Sequence, residues 1–299
     1  MSFSNKVKEE LCLTVKATKE CKAIQLYGGL LGCKLFTDNE IEFSSEFKNV
    51  LEYFSDIIFR LYKYKITPLK LIDTIYKKPL YTLSLTKPEV CKQISYSFDC
   101  GEYSELVSLA EIDEKIAWNF IKGIFLSCGS VSAPQTEYHL EFCFNNKNSS
   151  LLLKDCLEAL GYTPKYAQRR ENFIIYFKDS TSIEDILTGM GAVKNSLELM
   201  DTKVLKDIRN TVNRKNNCET ANLKKTINVA IEQINAINKV VSKYWIDYFT
   251  DDYKKVIEIR IKNPEISLNE MSKLLDGELS KSAINRRLQK IYQMAKELN

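Results

Sequence analysis

Hydrophobic and polar residues follow the same order of patterns twice within the first two hundred residues. Each copy begins with an apolar stretch rich in small residues, which predicts a helix, and continues with an alternating stretch, which predicts a strand. In the first copy we predict a helix over 21–36, a strand over 40–44, a helix over 50–64, strands near 64–72 and 80–85, and a helix near 88–96. In the second copy we predict a helix over 116–131, a strand over 138–144, a helix over 150–160, strands over 163–168 and 173–177, and a helix over 182–190. Because a repeated order of elements outweighs local propensity, we expect one structural unit to occur twice, over 1–105 and 106–202.

The chain becomes basic after the second copy, with seven Lys or Arg against two acids between residues 203 and 226. Glycine and proline are absent from this stretch, and isoleucines recur at helical spacing from Ile227 to Ile237. We therefore predict a helical linker over 203–245, with a helix at 223–240. Within it Arg209, Asn213 and Arg214 are possible DNA contacts, because such side chains bond phosphates and bases.

The last segment, 246–299, has the pattern of a helix-turn-helix. Ser267 and Glu270 have capping-box spacing, Asp276-Gly277 is a turn signal, and Ser280 or Ser282 can cap a second helix. In that second helix four apolar residues recur at helical spacing: Ile284, Leu288, Ile291 and Ala295. A helix of this kind enters the major groove of double-stranded DNA. The candidate DNA-binding residues are Ser267, Ser280, Lys281, Ser282, Asn285, Arg286, Arg287, Gln289 and Lys290.

Composition argues against several classes of chemistry. The net charge of +4 is weak, so local clusters of charge matter more than the total. None of the nine cysteines forms a Cys-x-x-Cys pair, and the single histidine, His139, lies in an alternating strand pattern. We therefore predict reduced thiols and no catalytic residue, metal or cofactor. Without a signal peptide or a bilayer-spanning apolar run, the chain is expected to be cytoplasmic, associated with the nucleoid and without a membrane partner.

The second of the small-residue helices, in the stretch Ile121–Ser130, resembles the signature helix of the LAGLIDADG homing endonucleases. The resemblance implies an α+β fold: two αββαββα halves related by a pseudo-twofold axis, with two sheets forming a saddle over DNA. In that family the last acid of each motif holds a divalent metal. Here the matching position of the second half is Cys128, the earlier acid position is Leu126, and the first-half counterpart is expected to be Gly32. These residues are not oxygen ligands for magnesium, so nuclease chemistry is not expected.

The whole pattern resembles the WhiA family of bacterial regulators. The resemblance depends on Met1–Ser4 with Val7–Leu11, on Gly123–Val131, on Arg209–Arg214, on Asn217–Thr226 with its Asn-Cys-Glu-Thr-Ala-Asn block, and on Asn263-Pro264, Ser267-Leu268 and Leu279–Ser282. It implies a DNA-binding transcription regulator with roles in cell division, chromosome segregation and, in sporulating relatives, sporulation.

Three functions remain open from the sequence. For a DNA-binding regulator, the endonuclease scaffold suggests possible contacts on the second sheet at Lys165, Gln168, Arg169 and Arg170. For an adaptor, the expected partners are RNA polymerase or division proteins. An active metal-dependent nuclease would need carboxylates, and the nearest acids, Asp38, Glu40 and Glu137, lie beyond the expected positions.

Overall fold

A computed structural model describes residues 2–13, 17–72, 79–109 and 113–298 of the chain. They form two compact units, Met1–Lys206 and Asp207–Asn299. The finer predicted boundaries, at residues 105/106, 202/203 and 245/246, stay a proposal. Within the described residues, no helix is both long enough and apolar enough to cross a membrane.

The first half of the first unit follows an N-terminal helix. Its elements are α1 (Phe3–Leu13), α2 (Lys19–Leu31), β1 (Leu35–Phe36), β2 (Ile41–Ser45), α3 (Lys48–Tyr62), β3 (Leu69–Ile72), β4 (Pro79–Leu85), α4 (Pro88–Asp99) and α5 (Ser104–Leu109). The strands form one antiparallel sheet in the order β1-β2-β4-β3. Ile41 and Phe43 occupy alternate positions of β2, and both are buried. One face of this sheet therefore packs against the core.

The second half repeats this arrangement. Its elements are α6 (Glu114–Cys128), β5 (Gly129–Val131), β6 (Leu140–Phe144), α7 (Lys147–Ala159), β7 (Lys165–Arg169), β8 (Asn172–Phe177) and α8 (Ser180–Met190). The sheet order, β5-β6-β8-β7, matches that of the first half. The alternating pattern predicts that Tyr138, Leu140, Phe142 and Phe144 are buried; the last three are, whereas Tyr138 lies before β6 and is only partly buried. His139 lies beside Glu141 on the other face. The duplicated α+β fold is therefore confirmed.

The two predicted small-residue helices were too long. The helix predicted over 21–36 ends at Leu31, and the helix predicted over 116–131 ends at Cys128. The residues that follow each helix form the short strands β1 and β5, which pair with β2 and β6. Local apolar pattern favoured a continued helix, but pairing with a neighbouring strand decides the structure of these few residues.

Helices α2 and α6 pack with their backbones in contact, through one glycine from each helix. A Cβ on Gly28 would lie 2.3 Å from the Phe120 carbonyl oxygen, and one on Gly123 would lie 2.0 Å from the Gln25 carbonyl oxygen. The two contacts are related by a pseudo-twofold rotation, and equivalent residues are 95 positions apart. The same spacing separates the N-caps Thr18 and Asp113. This spacing gives the register of the pseudo-twofold repeat.

Lys122 of α6 is buried at this helix pair. Its side chain is 4% exposed, and its Nζ lies 5.7 Å from the centre of the Tyr53 ring. Burial lowers the pKa of Lys122 from 10.5 to about 8, against the opposing influence of Cys12 and Cys21. The folded protein therefore holds a poorly solvated ammonium at pH 7.

We expect the Lys122→Met substitution to stabilise the protein at pH 7 by about 1–3 kcal/mol, because it removes this desolvated charge. Between pH 8 and 10.5 the unfolded chain binds more protons at this lysine than the folded one, so wild-type stability rises and the gain from the substitution shrinks. Above pH 10.5 the gain should vanish. Urea unfolding across this pH range measures the difference, and Lys115→Met, at an exposed position of the same helix, is the control. A variant less stable than wild type at pH 7 contradicts the prediction.

The second unit is all-helical. The long helix α9 (Val193–Tyr244) begins in the first unit and continues into the second. A short 3-10 helix (Ile246–Tyr248), α10 (Asp251–Lys262), α11 (Leu268–Leu274) and α12 (Lys281–Glu297) follow it. The predicted helical linker, except for its last residue Trp245, lies inside one uninterrupted helix, which the absence of glycine and proline from 192 to 263 permits. The core of this unit contains Ala236, Ile237, Val240, Val256, Ile257, Met271, Leu275, Ile284, Leu288 and Ile291.

Candidate nucleic-acid interface

Helix α11 begins with the predicted capping box. Ser267 is the N-cap; the Glu270 N–H donates to its hydroxyl at 3.3 Å, and the Ser267 N–H donates to the Glu270 carboxylate at 2.7 Å. These bonds lower the pKa of the Glu270 carboxyl group. Two of the unpaired N–H groups at the start of the helix are satisfied in this way, so the first helix of the pair starts at a defined residue.

The turn between α11 and α12 forms at the predicted Asp-Gly pair. Asp276 and Gly277 both have positive φ, at 50° and 76°. The Ser272 hydroxyl crosses the turn and donates to the Leu279 carbonyl oxygen at 2.6 Å. The turn is thereby held by a side chain as well as by backbone bonds, and it sets the start of the second helix.

Helix α12 starts after Ser280, whose hydroxyl accepts the Ala283 N–H at 3.3 Å. Its predicted apolar stripe, Ile284, Leu288, Ile291 and Ala295, is buried. Six predicted residues of the opposite side are exposed: Lys281, Ser282, Asn285, Arg286, Gln289 and Lys290. From Lys281 to Lys296 the helix has no acidic residue, so this exposed face is polar and positively charged.

Arg287 does not belong to the exposed face. Its side chain is 20% exposed, and its Nη2 donates to the Asp252 carboxylate of α10 at 2.5 Å. Its Nη1 donates to the Ala283 carbonyl oxygen, and the guanidinium lies 5.6 Å from the Tyr253 ring centre. Arg287 therefore links α10 to α12. Its guanidinium is occupied by contacts within the protein, so its position does not support the predicted phosphate contact.

The linker candidates Arg209, Asn213 and Arg214 are exposed on α9. All residues from 207 to 225 are exposed, so this part of the helix shows solvent on every side. A basic helix without a buried face is compatible with contact to a polyanion, but its position alone assigns no role to any of these three residues.

The candidates on the second sheet do not share one face. Lys165 and Arg169 lie opposite Tyr176 and Asn172, on the outward face with Glu141. Gln168 pairs with Phe173 and so lies on the opposite face of the sheet, where it is exposed on the edge strand, and its amide donates to the Arg170 carbonyl oxygen in the turn. Arg169 lies 3.8 Å from Glu141, which offsets part of its charge.

The outward face of the first sheet is not basic. Register and alternation assign to it the described strand residues Leu35, Glu42, Ser44, Leu69, Leu71, Leu80, Thr82 and Ser84. These include one acid and no lysine or arginine, and Leu69 and Leu71 are exposed. A surface of this composition does not attract a DNA backbone.

The last acid position of the motif holds a thiol in both halves. With the 95-residue register, the counterpart of Cys128 is Cys33; the expectation of Gly32 was one residue out. Gly32 instead packs directly on Cys128, since a Cβ there would lie 2.7 Å from its Sγ. The earlier acid position, Leu126, is fully buried. Two pairs of identical residues, Gly28/Gly123 and Cys33/Cys128, are each 95 positions apart. This shared spacing in the sequence indicates how the two halves align.

Two acidic residues that the sequence patterns did not indicate lie at equivalent strand positions in the two halves. Glu42 and Glu141 lie opposite Leu35 and Ser130, in the strands next to the motif helices. Each has a cationic or histidine partner: Lys34 for Glu42 at 2.9 Å, and His139 for Glu141 at 3.0 Å. Asp38 and Glu40 lie in the turn between β1 and β2, and Glu137 lies before β6. Among the described residues, no three His, Cys, Asp or Glu side chains form a group able to hold a metal ion.

Comparison with known proteins identifies the chain. A family model described as the WhiA C-terminal HTH domain matches residues 212–295, and one described as the WhiA LAGLIDADG-like domain matches residues 117–209. The chain is 34% identical to the "Probable cell division protein WhiA" of Lachnospira eligens, with 100% of this chain and 98% of that protein covered. The chain belongs to the WhiA family. The protein of the same name from Clostridium tetani is 32% identical over 100% of this chain and 98% of its own length.

Solved structures of WhiA proteins share the fold. Full-length DUF199/WhiA from Thermatoga maritima matches with a TM-score of 0.62 and 23% identity, over 99% of each chain. The N-terminal LAGLIDADG domain of DUF199/WhiA matches with a TM-score of 0.52 and 20% identity, over 64% of this chain and 90% of that one. The resemblance and the fold class drawn from the sequence are thus confirmed. The curated WhiA relatives are named as cell division proteins and not as enzymes.

Proposed function

We propose that this protein is a sequence-specific double-stranded DNA-binding regulator that uses α12 as its main reading helix. The observation that carries the proposal is the exposed face of α12, where six polar or basic side chains lie opposite a fully buried stripe. Capping at Ser267 and Ser280 and the turn at Asp276-Gly277 hold this face in the arrangement of a helix-turn-helix. The names of its relatives support a role in cell division, and the same DNA binding accounts for the roles in chromosome segregation and sporulation that the family resemblance implies.

The duplicated domain is, in this proposal, a scaffold and not the main DNA surface. Among the described strand residues of its first sheet no lysine or arginine faces outward, and its second sheet presents Lys165 and Arg169 beside Glu141. Genome-wide footprinting of the wild type and of an Arg286→Ala variant tests the proposal. We expect discrete wild-type sites whose occupancy falls in the variant. Equal occupancy at the same sites would contradict it.

We also propose that the protein does not cleave DNA. The last acid position of each motif holds cysteine, a soft ligand that magnesium does not favour, and Glu42 and Glu141 have partners of their own. Supercoiled plasmid incubated with the protein and Mg²⁺ or Mn²⁺ should stay supercoiled at all protein concentrations. Nicking that copurifies with the protein and disappears in a Glu42→Gln/Glu141→Gln variant would overturn this expectation.

The adaptor function, with RNA polymerase or division proteins as partners, stays a prediction. Affinity purification of the full chain from cell extract, with and without nuclease treatment, separates direct partners from those bridged by DNA. Partners lost on nuclease treatment support the DNA-binding function alone.

A further inference from the structure

Four helical segments of the second unit line a cavity of about 280 Å³ that opens to solvent. One wall is a face of α9 with Lys225, Val229 and Gln233 at four-residue spacing, and the facing wall is α12 with Lys281, Asn285 and Gln289 at the same spacing. Arg260 of α10 and the start of α11 complete the lining. The cavity can hold several water molecules or a small polar group.

The charge of this cavity has one sign. Lys225, Arg260 and Lys281 line it, and no lining residue is acidic. Within the described part of the chain, none of the three forms an ion pair. An anion bound between three cations would gain favourable charge interactions with all of them.

Arg260 is a buried arginine with an N–H group that has no hydrogen-bond acceptor. Its side chain is 2% exposed, and its Nη1 donates to the Ile266 carbonyl oxygen at 2.9 Å. Its Nε is buried and has no hydrogen-bond partner. A buried guanidinium normally has a carboxylate or phosphate opposite it, because an unpaired buried charge is costly. Here burial lowers the pKa of Arg260 below its usual value.

Gln233 adds a second unpartnered group to the same wall. It is 7% exposed, and its Oε1 is buried without a hydrogen-bond partner. Because the oxygen and nitrogen of a side-chain amide are exchanged by a half-turn, the same position can present an N–H donor. The cavity then offers donors from Arg260 and Gln233 at its base and from Lys225 and Lys281 at its rim.

We propose that this cavity is a binding site for a phosphate group. A phosphate matches the planar donor set of a guanidinium and carries enough charge for three cations. Two sources share this chemistry: a backbone phosphate of DNA, which rests on the proposed function, and a free phosphorylated small molecule, which does not. Asn285 and Gln289 line the cavity and also belong to the exposed face of α12, so a small-molecule occupant would lie beside the DNA-reading surface.

The first arm of the test uses no DNA. The arginine Nε–H resonances of the ¹⁵N-labelled full chain are followed during titration with sodium pyrophosphate, with sodium chloride at equal ionic strength as reference. The Arg260 resonance is identified by its absence in an Arg260→Lys variant. We expect it to move saturably with pyrophosphate, and Lys225→Gln to weaken the apparent affinity about tenfold. Lys224→Gln, at the exposed neighbouring position outside the cavity, should change it less than twofold.

The second arm distinguishes the two sources. If Lys225→Gln also weakens duplex DNA binding and pyrophosphate competes with DNA, the site takes a backbone phosphate. If pyrophosphate binds while DNA affinity is unaffected by Lys225→Gln, the site takes a free phosphorylated molecule. If Arg260→Lys fails to fold, the rise in unfolding temperature caused by pyrophosphate is measured instead. It should be smaller for Lys225→Gln than for Lys224→Gln. No saturable response to pyrophosphate or DNA, or equal effects at positions 224 and 225, would overturn the proposal.

Discussion

Replacement of Lys281, Arg286 and Lys290 by glutamine should weaken binding to a double-stranded promoter fragment about 100-fold at low salt, at roughly 1 kcal/mol or more for each lost contact. The slope of log affinity against log salt should also fall by about 2.7, since each phosphate contact contributes about 0.9. The three side chains are exposed on α12, so their loss removes contacts with DNA without disturbing the buried stripe. Fluorescence anisotropy at several salt concentrations measures both quantities.

A matched control removes three charges elsewhere in the same unit, through Lys243→Gln, Lys254→Gln and Lys262→Gln. Its salt slope should stay near the wild-type value. Arg287 is left unchanged in both variants, because its bond to Asp252 ties α12 to α10. If both triple variants lower the slope equally, the DNA contact is a general effect of charge and α12 is not the reading helix.

Replacement of Gly123 by alanine should lower the free energy of unfolding by about 3 kcal/mol or more. At an open helix position this change stabilises a protein by about 0.5–1 kcal/mol, because alanine favours the helix. At Gly123 the new Cβ would lie 2.0 Å from the Gln25 carbonyl oxygen. No side-chain rotation relieves a clash with backbone, so α2 and α6 must separate and lose contacts along their length. The midpoint of urea unfolding measures the effect.

Gly161→Ala is the control for this prediction. A Cβ there meets open space, but φ is +87°, a conformation that costs alanine about 1–2 kcal/mol. Steric overlap in the helix pair should therefore destabilise the protein more than backbone strain at an open turn. A Gly123→Ala variant as stable as Gly161→Ala would show that the helix pair accommodates an added methyl group.

The sequence predicted those features that depend on neighbours along the chain. Ser267, Glu270 and Ser280 lie within a few residues of the N–H groups that they cap, and the stripe from Ile284 to Ala295 follows from helical spacing alone. Strands β1 and β5 have two and three residues, too few to show alternation, and they form only because β2 and β6 pair with them. Their existence is a property of the folded sheet.

The details of the candidate site depended on distant partners. Nothing near Arg287 in sequence indicates that Asp252, 35 positions earlier, accepts its guanidinium N–H. Likewise, the cavity beside Arg260 combines residues from four helical segments, and Arg260 has the local pattern of an ordinary charged helix position. Which face Gln168 occupies was decided by its pairing with Phe173.

The cysteines at the two motif ends have a consequence for how the helix pair is held together. Burial raises the pKa of Cys33 and of Cys128 to about 12, so both thiols are neutral at physiological pH. Two carboxylates close together would repel each other and rely on a bound cation for relief. With uncharged sulfur at both positions, these ends of α2 and α6 need no cation between them, and we expect their association not to depend on divalent cations.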